Sequence, residues 1–61
     1  MVLEKLSDGK LVQISLSHDE EGRKHAIVYG VGFHIKSGSQ EEEEARQIGL
    51  LYADEIEIIT Q

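Results

Sequence analysis

Residues 10–17, KLVQISLS, show the clearest alternation of apolar and polar side chains in the chain, regular from Val12 to Ser17. Successive residues of a strand point to opposite faces. Val12, Ile14 and Leu16 therefore share one face, and Gln13, Ser15 and Ser17 the other. This period specifies a half-buried antiparallel strand. A chain containing it must supply neighbours on both edges and a cover for the apolar face.

The neighbour on the C-terminal side is expected from residues 24–36, KHAIVYGVGFHIK. This stretch holds the only Phe, one of two Tyr and two of three His, with Gly30 and Gly32 at its middle. Glycine permits the positive φ of a tight turn. The expectation is a hairpin turning at Gly30-Val31, with Tyr29 opposite Gly32, Ile27 opposite His34 and His25 opposite Lys36. Ala26, Val28, Val31, Phe33 and Ile35 then face the core. His25, Ile27, Tyr29, His34 and Lys36 form the outer face.

Residues 2–6 supply a first strand, and Ser7-Asp8-Gly9 a turn, because Asp bonds the local backbone and Gly takes the left-handed position. His18–Arg23 form a polar turn that closes at Gly22. After Ser37-Gly38-Ser39 the period changes. Ser39 and Glu42 have capping-box spacing, and Glu41, Glu42 and Glu43 suit the positive end of a helix dipole. Glu42 and Arg46 have ion-pair spacing, and Ala45, Ile48 and Tyr52 form a stripe with Leu51 beside it. The spacing predicts a short helix over 40–48, with an extension to 53 open. Gly49 is either its stop or an interior glycine costing about 1 kcal/mol. Residues 54–60, DEIEIIT, alternate as a last strand.

The fold class expected is mainly β, a β-rich α+β domain. It is a small antiparallel five-stranded meander, or an open barrel, with one short helix before the last strand. A strand pair around an Asp-Gly turn and a final EIEII strand resemble elements of SH3-like and Sm-like barrels, in topology alone. The second architecture is a flat sheet of four or five strands with the helix on one face, completed by a dimer partner. The core expected is Val12, Ile14, Leu16, Val28, Val31, Phe33, Ile35, Ile48, Ile56 and Ile58.

At 61 residues the chain is expected to form one domain, residues 1–61. Such a domain buries only about 60% of its unfolded surface. With no Cys, neither disulfides nor thiolate metal sites can staple it. No apolar run approaches the roughly 20 residues that span a bilayer, and MVLEKLSDG lacks a signal-peptide pattern. The expectation is a cytoplasmic protein with no membrane contact. The net charge is −6, and all of it falls after residue 36, where Arg46 stands against seven acids. That distribution opposes phosphate-backbone binding.

No motif specifies a chemistry. His18-Asp19-Glu20-Glu21 lacks the spacing of a calcium loop, and His25 with His34 lacks the third ligand that zinc needs. GVG has no phosphate-loop context. The expectation is no enzyme, no cofactor, no metal and no catalytic residue. The mixed strip of His25, Ile27, Tyr29, His34 and Lys36 suits a protein interface. The function expected is a small acidic non-catalytic interaction module that self-associates or docks on a larger protein. One alternative is a small-barrel nucleic-acid binder using Lys24, Tyr29, His34 and Lys36. Another is an acidic decoy that presents Glu41, Glu42, Glu43 and Glu44, with Asp54, Glu55 and Glu57, to a nucleic-acid-binding protein.

Overall fold

A computed structural model describes residues 1–60. The elements are β1 (Val2–Lys5), β2 (Leu11–His18), β3 (Lys24–Val31), α1 (Gln40–Leu50) and β4 (Glu55–Ile58). The four strands form one sheet in the order β1-β2-β3-β4. β1, β2 and β3 run antiparallel as an up-and-down meander. β4 lies parallel to β3, pairing His25 with Glu55 and Val28 with Ile58. The domain is mainly β, as expected, but its sheet has four strands, is mixed, and does not close into a barrel. The four strands with one helix on one face match that part of the second architecture.

The two meander turns follow from local chemistry. Gly9 has φ 90° and Gly22 φ 83°. The Asp8 carboxylate accepts from the Lys10 amide at 2.9 Å, and the Asp19 carboxylate accepts from the Arg23 amide at 2.8 Å. Each Asp holds the turn that its Gly allows.

The expected hairpin at Gly30-Val31 does not form. β3 runs straight through Gly30, and the positive φ falls at Gly32 (81°). Gly30 serves close approach instead, since a Cβ there would meet the Phe33 carbonyl and ring. Residues 32–36 therefore make no fifth strand; among the described residues an isolated bridge joins Ile35 to Thr60. Ile27 and His25 face Ser15 and Ser17 on β2, not His34 and Lys36. The connection from β3 to β4 spans residues 32–54 and contains α1, which is long enough for a parallel return.

α1 starts as expected. The Ser39 hydroxyl accepts from the Glu42 amide at 3.2 Å. The Glu42 carboxylate reaches one residue beyond the usual capping box, to the Gly38 amide at 3.0 Å, and not forward to Arg46. The helix runs two residues past 48, so Gly49 is interior. It is buried, and a Cβ would lie 3.0 Å from Ile56 Cδ1. The glycine therefore lets the helix approach the sheet closely.

The core lies between α1 and the sheet face that carries Val12, Ile14, Ala26 and Val28, closed by Leu6, Ile35, Ala45 and Ala53. Phe33, Ile48, Ile56 and Ile58 pack against it half-buried. Leu16 and Val31, expected in the core, are exposed. Leu16 is on the correct face, at the end of the sheet beside Tyr52 and Lys24. Val31 is on the opposite face, because the chain does not reverse before it. Among the described residues no helix is long and apolar enough to cross a membrane.

Candidate functional site: the open face of the sheet

Paired residues of neighbouring strands share a face, so the registers define what the uncovered side presents. One row runs Lys5, Leu11, Val31. The next runs Leu3, Gln13, Tyr29, and continuing the β4 register places Ile59 at its end. The Ile59 amide donates to the Val28 carbonyl at 2.9 Å, which holds that position beside β3. The third row is Ser15, Ile27, Glu57, and the fourth Ser17, His25, Glu55. Apolar side chains thus make up most of the first two rows, which also hold Lys5 and Gln13, and polar ones most of the last two.

Several of these apolar groups are open to solvent: Leu3 is 61% exposed, Leu11 38%, Val31 42% and Ile59 48%. Ile27 and Tyr29, on the central strand, are half-buried by their neighbours. Leu50 and Leu51 form a second, smaller apolar spot at the end of α1.

Of the expected interaction residues, the structure brings His25, Ile27 and Tyr29 together on this face. His34 is exposed beyond β3 and joins Tyr29, Gly30, Gly32, Phe33 and Ile59 around a shallow hollow of about 400 Å³. Lys36 is apart from both, at the start of α1, where its carbonyl accepts from the Ser39 hydroxyl at 2.6 Å. Lys24 alternates to the helix side and lines a separate hollow with Leu16, His18 and Tyr52.

Each glutamate of the acidic run has an intrachain partner. The Glu41 carboxylate is 2.7 Å from Lys10 Nζ, which sits 5.1 Å from the Phe33 ring centroid. Glu42 accepts from the Gly38 amide, Glu43 from Gln47 Nε2 at 3.1 Å, and Glu44 from the Ser7 amide at 3.1 Å. The run therefore ties the first turn to the helix. Glu41 holds the Lys10 ammonium above its ordinary pKa, and the Lys10 amide lowers that of Asp8. Across the same layer the Tyr52 phenol donates to Glu4, which raises the phenol pKa. Among the described residues no group of three or more His, Asp or Glu is placed to hold a metal ion.

Leu3, Leu11 and Ile59 were not among the interaction residues expected from sequence. The signal for them is the adjacent apolar pairs Val2-Leu3, Leu11-Val12 and Ile58-Ile59. In a strand, such a pair places one apolar group on each face. In comparisons with known proteins, no family model, no curated protein and no solved structure matches the chain.

Proposed function

We propose that the chain is a small non-catalytic protein-interaction module that binds through the open face of its sheet. The observation that carries this reading is the pair of largely apolar rows on a face that, among the described residues, no element covers. A contiguous exposed apolar patch on a small domain marks a contact site. Its make-up fits: an aromatic residue, Tyr29, sits among aliphatic groups, and charges lie at the periphery as Lys5, Glu55 and Glu57. Ten of the twelve acids lie off this face, so a protein surface can approach it without burying most of the negative charge.

The two nucleic-acid readings draw less support. Lys24 and Tyr29 alternate to opposite sides of β3, so they do not form one basic and aromatic strip. The glutamates of the run are engaged within the chain.

The test is position-dependent photocrosslinking in cells. A benzophenone side chain at Leu3 should give a discrete adduct that Val31→Asp abolishes. The same probe at exposed Gln47 on α1 should give none. Adducts from Gln47 alone, or from neither position, would refute the reading.

A further inference from the structure

We infer that the occupant of the open face is a second copy of this chain, stacked face to face about a two-fold axis parallel to the strands. The inference rests on the interaction-module reading above and commits it to one partner.

The registers carry the argument. A two-fold axis along the strands and between β2 and β3 lays β1 over the second copy's β4, and β2 over its β3. Each row then meets itself in reverse order. Leu3 meets Ile59 of the second copy, and Leu11 meets its Val31. Gln13 meets Tyr29, and Ser17 meets His25. An axis of this direction sets each row on itself; the registers add that the apolar pairs Leu3–Ile59 and Leu11–Val31 meet, that Ser15 meets Ile27, and that among the described residues none is opposite Lys5. An axis across the strands would instead set the apolar end of one face on the polar end of the other. The face is therefore self-complementary in one of its two symmetric stackings, as an isologous interface requires. Aligned packing of two sheets about 10 Å apart, within about 30°, is the common geometry for such faces.

The area suits a reversible pair. Four strands about 4.8 Å apart, covered over about six residues at about 3.3 Å each, give a footprint of about 400 Å² per copy. That is about a tenth of the 4178 Å² surface, the share that specific interfaces take on small proteins. The total, about 800 Å², is below the roughly 1,200–2,000 Å² of stable interfaces, so the dimer should be weak and transient, dissociating at micromolar or higher concentrations. Each copy carries a net charge of −6, with the excess off the contact face. Salt screens that repulsion, so added NaCl should tighten the dimer.

Sedimentation equilibrium of the purified chain tests this. The wild type should show a monomer–dimer equilibrium that tightens as NaCl is raised. Leu3→Glu and Ile59→Lys should each be monomeric where the wild type is dimeric, with their thermal melts by circular dichroism still cooperative. An equimolar mixture of the two should restore the dimer, because Glu then meets Lys on one side while Leu3 meets Ile59 on the other. A dimer that survives Leu3→Glu would overturn the inference, and so would a mixture that stays monomeric. A wild type monomeric throughout would overturn it too. In that last case, photocrosslinks from position 3 to a different protein would keep the interaction module. Their absence would remove both.

Discussion

Replacing Gly30 with Ala tests why the hairpin is missing. An ideal Cβ at Gly30 would press on the Phe33 carbonyl oxygen and lie 2.9 Å from Cε1 and 3.0 Å from Cδ1 of the ring. The ring can rotate away, but the carbonyl is backbone. Overpacking of this kind costs about 1–3 kcal/mol, and a backbone obstacle puts Gly30→Ala near the top of that range. Alanine returns about 0.5–1 kcal/mol by restricting the unfolded chain. The net loss should be about 2 kcal/mol, against the roughly 3–5 kcal/mol that a core of this size supplies. With a urea m-value of about 1 kcal/mol/M, the midpoint should fall by about 2 M. The assay is urea unfolding followed by circular dichroism at one fixed protein concentration. Part of the loss should persist on a Phe33→Leu background, where the carbonyl remains. A Gly30→Ala midpoint within about 0.3 M of wild type would refute the close-approach account.

Phe33→Ala should cost about 2–3 kcal/mol, below the value for a fully buried ring, because one side of Phe33 is open; the same urea assay reads it. Ser39→Ala should cost about 1 kcal/mol by removing the cap on the Glu42 amide, read as a lower thermal midpoint. The Tyr52 phenol has its pKa raised above the ordinary 10.0 by its hydrogen bond to Glu4. Its contribution is therefore complete below pH 10.0 and lost as pH rises through the raised value. Stability measured between neutral pH and pH 11 should fall more steeply for wild type than for Tyr52→Phe, and parallel curves would show that the bond does not couple to folding.

The meander and the helix were legible because their signals are local. The period-two run at 12–17, the two Asp/Gly turns and the Ser39 cap each fix a structure within a few residues. The direction of β4 was not legible. An alternating EIEI segment pairs equally well either way, and the choice is made by a connection whose path depends on packing. The close contacts were also hidden, for a different reason. Apolar periodicity weights large side chains, whereas the helix approaches the sheet over Ala45 and Gly49, and the turn after it over Ala53, because these are small. On the open face, His25, Ile27 and Tyr29 followed from alternation alone. Val31 was misplaced because glycines at 30 and 32 offer two turn positions, and only the packing of Phe33 on Gly30 decides between them.

The parallel return of β4 also sets an order of assembly. β1, β2 and β3 pair across short turns, so they close with little loss of chain entropy. β4 can join only after residues 32–54 have folded back, a long-range closure that is slow. The three-stranded meander should therefore form early, with both faces bare until β4 extends its edge and α1 covers one of them. In reverse, α1 and β4 are the unit that leaves first. Native-state hydrogen exchange should show this hierarchy: the Ile59 amide, bonded to Val28, should exchange through a smaller opening than the amides of β2, which is paired on both sides.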